Sequence, residues 1–200
     1  MKRLVLIAAS TLALTACGSS ENAADVTNEM SDAAGSAVSA VEDTTAAAVG
    51  AVTAPMVNTA DGYVTNAAIS DMYEVQSSQL ALEKAQSAEV KQFAQKMIND
   101  HTATTDQLKS TVASANLNIT PPTSLDSRRQ GMLDNLKGLS GAEFDKAYLE
   151  QQTAAHEEAL NLHRGFAEDG DNEALKKLAA EIAPKIENHL EMVRGMKTSA

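Results

Sequence analysis

From Gly62 to Arg194 the apolar residues recur at steps of three and four, the spacing of one buried face on a helix. The pattern is clearest from Ser140 to Phe166, where Phe144, Tyr148, Ala155, Ala159, Leu162 and Phe166 form a single stripe. Ser140 followed by Glu143 reads as a capping box that starts this helix. A first helix is predicted from Asp61 to Gln86, with Ala67, Asp71, Glu74, Val75, Ser78, Ala81, Leu82 and Ala85 inward, two acids among them. Ser87 is a good N-cap for a second, Ala88 to Ala115, whose stripe is Val90, Phe93, Ala94, Met97, Ile98, His101 and Leu108. The join is so short that the two must be antiparallel neighbours. Pro121-Pro122 forbids helix, and Asp126 to Leu139 is a shorter helical piece expected to pack across one end. Asp169-Gly170-Asp171-Asn172 ends the Ser140 helix. The last helix, Asn172 to Met196, carries Leu175, Leu178, Ala179, Ile182, Ile186, His189, Leu190 and Val193. Pro184 lies inside it and predicts a kink about one turn before His189. The pattern therefore predicts an all-α fold of four long helices, with a short extra helix between helices two and three.

The first 60 residues break this pattern. Lys2 and Arg3 precede a short apolar run, Leu4 to Leu14, too short to span a bilayer, and Leu14-Thr15-Ala16-Cys17 follows. These four residues resemble the bacterial lipobox, in which the cysteine is lipidated and becomes the first mature residue. Residues 1–16 then form a signal peptide, and Cys17 a lipid anchor. Gly18 and Ser19 lack the Asp that retains such proteins at an inner membrane, so in a Gram-negative cell the resemblance implies an outer-membrane anchor facing the periplasm. Residues 17–60 read as an acidic tether rich in Ala, Ser and Thr, without Lys or Arg from Gly18 to Asn58. As a flexible coil it reaches roughly 35 Å; its alanines also permit helical turns. Residues 61–197 form the bundle.

Composition narrows the possibilities. Aromatics are 3% and Trp is absent, which suits packed helices better than a β-sandwich. The net charge is −11, and loss of Lys2 and Arg3 makes it two units more negative, which excludes nucleic acid as a partner and leaves membrane attachment to the lipid on Cys17. Several acyl chains hold firmly where one does not.

The residues Glu74-Val75, Phe93-Ala94-Gln95-Lys96-Met97-Ile98-Asn99-Asp100-His101, Ser140-Gly141-Ala142-Glu143-Phe144-Asp145-Lys146-Ala147-Tyr148, His156-Glu157-Glu158-Ala159, and Pro184 with His189-Leu190 carry a resemblance. They resemble the bacterial ferritin-like family known as domain of unknown function 4142, over about Gly62 to Arg194. Members are often labelled outer-membrane protein or lipoprotein. The resemblance implies an all-α, up-and-down four-helix bundle of ferritin type, with the short extra helix between helices two and three, and little about activity.

Ferritin-like di-iron sites use Glu-x-x-His on two helices. Here Ile98, Thr153 and Ile186 stand three residues before His101, His156 and His189, so that motif is absent. What remains is one polar residue per long helix: Glu74, His101, His156 and His189. Three imidazoles and a carboxylate suit one divalent transition metal, zinc or copper. Met97 and Met192 share helix faces with His101 and His189 and would favour copper, though methionine is more often core filler. The same four residues could instead hydrogen-bond one another and fix helix register. His163 reads as a core residue, and Asp145 as an acid placed by the helix dipole. No paired nucleophile or phosphate loop occurs. Three readings follow: a lipid-anchored metal-binding bundle, a non-catalytic interaction or stress module whose polar cluster is structural, and a redox enzyme. An exposed stripe would also permit a homo-oligomer.

Overall fold

The computed structural model describes the backbone of residues 57–199 and the side chains of residues 57–196. The signal peptide, Cys17 and nearly all of the tether lie outside the described residues. Five helices follow in order: α1 Ala60–Lys84, α2 Ala88–Ser114, α3 Ser127–Lys137, α4 Gly141–Asp169 and α5 Glu173–Ser199. The four long helices form a ring in which α1 neighbours α2 and α4, and α5 neighbours α2 and α4. This is the expected all-α bundle.

Short polar residues start the helices. Thr59, Ser87 and Asp126 accept from Gly62 N, Val90 N and Arg129 N, and Asn172 Oδ1 accepts from Leu175 N. Ser140 does not cap. It makes no side-chain capping bond, because Gly141 at φ 60 lies outside the helical region and leaves Ser140 one residue too early. The start of α4 is instead fixed by Asp145, whose carboxylate accepts from Gln86 N at 3.0 Å and Ser87 N at 2.8 Å. One side chain thus satisfies the turn between α1 and α2 and pins α4 to it. At the opposite end Asp171 does the equivalent: its Oδ1 accepts from Ala60 N at 2.7 Å, and its own N–H donates to Asn58 O. Helix α5 runs unbroken through Pro184.

Helix α3 does not cross an end of the bundle. It lies along the outside of the seam between α1 and α4. Tyr73, Leu133 and Ala155 form a small apolar cluster there, and Arg129 reaches both Asp126 and Glu158. Lys84 Nζ donates to the carbonyls of Lys137 and Leu139 at its far end. A helix with an apolar residue for each long neighbour is buried by the seam better than by the bundle's end.

The interior is layered. Tyr63 stacks on Phe166 with centroids 4.2 Å apart at one end, and Phe93, Phe144 and Tyr148 pack together at the other. Between these apolar layers lies a buried polar layer: Asp71, Glu74, His101, Thr104, Gln152, His156 and His189. Burial between apolar layers makes every unpaired polar atom there costly.

Candidate metal centre

Helix register brings three imidazoles, one each from α2, α4 and α5, into this layer. His101 and His156 are 1% exposed and His189 is 0% exposed. Their ring centroids are 5.5–5.6 Å apart, and one nitrogen of each ring lies within 4.8 Å of the other two. Three nitrogens at about 2.0–2.1 Å from one ion lie roughly 3.3–3.6 Å apart, so rings within 4.8 Å of one another need draw together by little more than about 1 Å to share it.

Each ring is oriented from outside by an oxygen acceptor. His101 Nδ1 bonds Asp71 Oδ1 at 2.8 Å, and the same carboxylate accepts from Thr104 Oγ1 at 2.9 Å and Thr105 Oγ1 at 3.1 Å. His156 Nδ1 donates to the carbonyl of Gln152, one turn back on its own helix, at 2.8 Å. His189 Nε2 bonds Asp100 Oδ2 at 2.6 Å. A carbonyl or a carboxylate accepts only, so each bonded nitrogen carries the hydrogen. The other nitrogens, His101 Nε2, His156 Nε2 and His189 Nδ1, are buried without a partner. In neutral rings all three are acceptors, so none can donate to another. A proton on His101 would turn its Nε2 into a donor for one of the other two rings, whereas a cation serves all three nitrogens at once. An outer acceptor on each ring is also how metal-binding histidines are held.

The electrostatics separate the rings. Burial opposes charge on His101, but the hydrogen bond and charge of Asp71 outweigh it and raise its pKa above the ordinary imidazole value. Burial and the neighbouring His101 push His156 down to about 3 and His189 down to about 4. Two of the three rings are thus neutral and ready to ligate, and a proton on His101 is the competitor an ion would displace.

Glu74 sits beside this triangle and is not one of its corners. Its Oε1 is 3.8 Å from His156 Nδ1, and both of its oxygens lack a hydrogen-bond partner. Burial pushes its pKa up to about 7. Of the four candidate residues, the three histidines converge, and Glu74 lies against the His156 edge. Met97 is buried in the apolar core, whereas Met192 is 37% exposed and stands at the surface, so its thioether does not line the polar layer. His163 lies in the end layer, hydrogen-bonded at Nδ1 to the Tyr63 hydroxyl at 2.9 Å. Tyr148 pairs with Ser78 at 2.8 Å.

Two residues of the site carry no clear sequence signal. Asp71 falls on the inner face of α1 with Glu74, and only the structure distinguishes the acid that orients a ring from the acid that has no donor. Asp100 is adjacent to His101 in the chain yet serves His189, because successive helical residues point about 100° apart and so face different neighbours.

No curated protein matches the chain. A crystal structure of a DUF305 protein from Streptomyces coelicolor, assigned as secreted, is similar in fold, with a TM-score of 0.57, 16% identity, 70% of this chain covered and 92% of that one. At that identity the likeness concerns the fold alone. Among the described residues no helix is long and apolar enough to cross a membrane. A family model described as Domain of unknown function (DUF4142) matches residues 42–196, beginning within the stretch read as tether, and the chain belongs to that family.

Proposed function

We propose that this chain is a lipid-anchored envelope protein whose bundle binds one divalent transition metal at His101, His156 and His189, with Glu74 supplying negative charge beside the ion. The observation that supports this reading is the set of three buried, unpartnered imidazole nitrogens, each on a ring already fixed from behind by an oxygen acceptor. Three nitrogens with no sulfur in the set suit zinc or copper(II). Asp71, Asp100 and Glu74 offset the positive charge of a divalent ion in a water-poor interior. Calorimetry of the metal-stripped protein with zinc, copper and manganese tests the reading. Binding of zinc or copper at micromolar concentration or tighter, with one ion per chain, is the expected result. No binding by any of the three removes the metal reading and leaves a non-catalytic interaction module whose polar layer sets helix register.

The anchor is a separate part of the proposal and rests on Leu14-Thr15-Ala16-Cys17. Cys17→Ala should abolish incorporation of labelled lipid and leave a precursor or a soluble form. A variant that is processed and fractionates like wild type would remove the anchor while leaving the metal centre untouched.

A further inference from the structure

The three imidazoles are closed off from solvent, so an ion must reach them through one of the four seams between long helices. Two seams, α1–α2 and α4–α5, join the helices that are consecutive and most extensively packed. The α1–α4 seam is overlaid by α3. The remaining seam, α2–α5, is the most thinly packed of the four and nothing covers it among the described residues. On this seam the outer acceptor of His189 comes to the surface. Asp100 is 25% exposed at its side chain, whereas Asp71, the acceptor of His101, is 8% exposed. The acceptor of His156 is a main-chain carbonyl inside α4.

Asp100 is shared. Its Oδ2 takes the His189 bond at 2.6 Å and also the Lys96 ammonium at 2.6 Å, from a lysine that is 40% exposed. No protein donor reaches its other oxygen among the described residues. A solvated cation approaching this seam meets a carboxylate whose second oxygen is open and whose far side holds a ligand ring. The Lys96 ammonium, sitting on the same carboxylate, repels that cation and must be displaced sideways for it to pass.

Resting on the metal-binding reading, we infer that the α2–α5 seam is the entry route for the divalent cation, with Asp100 as the first carboxylate it meets and Lys96 as an electrostatic brake on its arrival. Lys96 touches no ligand nitrogen and acts on the site only through the Asp100 carboxylate it shares with His189, so its charge bears first on the rate of loading and less on the strength of binding. Asp100 is a positioning residue for His189 as well as the landing point.

Stopped-flow loading of the metal-stripped protein with cobalt(II), followed by the visible absorption of the bound ion, tests this. Lys96→Glu should load on the order of tenfold faster than wild type at low ionic strength, with the gain shrinking as salt is added. Lys96→Met should fall between the two. Lys146→Glu makes the same change of charge on an exposed residue near the start of α4, remote from the seam, and should leave the rate within twofold of wild type. The equilibrium dissociation constants of all four proteins, measured by calorimetry, should change less than the loading rates; a change in the constants with no change in the loading rates would overturn the route. Equal loading rates for wild type and Lys96→Glu, or equal acceleration by Lys146→Glu, would overturn the route while leaving the metal site in place. Absence of cobalt and zinc binding in the calorimeter would instead overturn the metal reading itself.

Discussion

Asp71→Asn is the most informative single change, because it alters no proposed ligand. The Asp71 carboxylate accepts three hydrogen bonds, from His101 Nδ1, Thr104 Oγ1 and Thr105 Oγ1. An asparagine keeps one acceptor oxygen and turns the other into a donor, so at least one of the three donors is left facing an NH₂ group. It also removes the negative charge that makes the opposite nitrogen of His101 a better electron donor. Losing the outer partner of a metal-binding histidine typically weakens binding by about 10–100-fold, or roughly 1.4–2.7 kcal/mol. The mechanism places that whole loss on His101, which gives a sharper test than the size alone. In a His101→Ala background Asp71 has no ring to orient, and Asp71→Asn should then cost less than about threefold. Dissociation constants for wild type, both single variants and the double variant, read by competition against chelators of graded affinity, close the cycle. Melting of the metal-free proteins checks that each is folded. A full tenfold loss on top of His101→Ala would show that Asp71 does not act through His101. No loss in the single variant would show that the ring is held without it.

Three other outcomes follow from the geometry. His156→Leu should abolish the rise in melting temperature that zinc gives the wild type, yet leave the metal-free protein at least as stable, since an orphaned buried nitrogen costs about 1–3 kcal/mol; a retained zinc-dependent rise would remove His156 from the site. His163 is held down to about 4 by burial, so its folded pKa lies below the ordinary value of 6.5. The unfolded chain therefore binds a proton first as pH falls, and this histidine's contribution is complete above about pH 6.5 and lost progressively towards pH 4, by about 3 kcal/mol. Denaturant titrations of the metal-free protein should show that decline, and His163→Gln should flatten part of it; an equal slope in the variant would assign the decline elsewhere. Asp145→Ala should lower stability by about 1–2 kcal/mol, because two backbone N–H groups at the α1–α2 turn lose their acceptor, whereas Ser140→Ala should be close to neutral. Thermal denaturation of the pair distinguishes this from a Ser140 cap, which predicts the reverse order.

Helical periodicity carries most of the fold here because each long helix has its own apolar stripe and its own stop signal. It also finds the three histidines, since each stands near a stripe on a separate helix. What it cannot carry is contact between helices. Ser140 and Glu143 make a plausible capping box as a local string, but the group that fixes the turn is Asp145, acting on Gln86 and Ser87 across 58 to 59 positions. Tyr73 and Leu133 were equally invisible as partners, and without that pairing a short polar helix looks like a lid on an end rather than a strip along a seam. The same limit separates Asp71 from Glu74. Both are acids on one face of α1, three positions apart, and their roles differ only because Thr104, Thr105 and His101 on α2 stand opposite one of them.

Metals pass between proteins by ligand exchange, in which the acceptor's donor atoms bind before the carrier's let go. Such a hand-over needs ligands that two proteins can touch together. Imidazoles that are 0–1% exposed, beneath apolar layers on both sides, offer no such shared moment. An ion released from this bundle would leave as a free aquo ion after the helices part, and its residence time would be set by how often α2 and α5 separate rather than by the lability of its own bonds. If the centre binds metal as proposed, that is the behaviour of a reservoir and not of a courier.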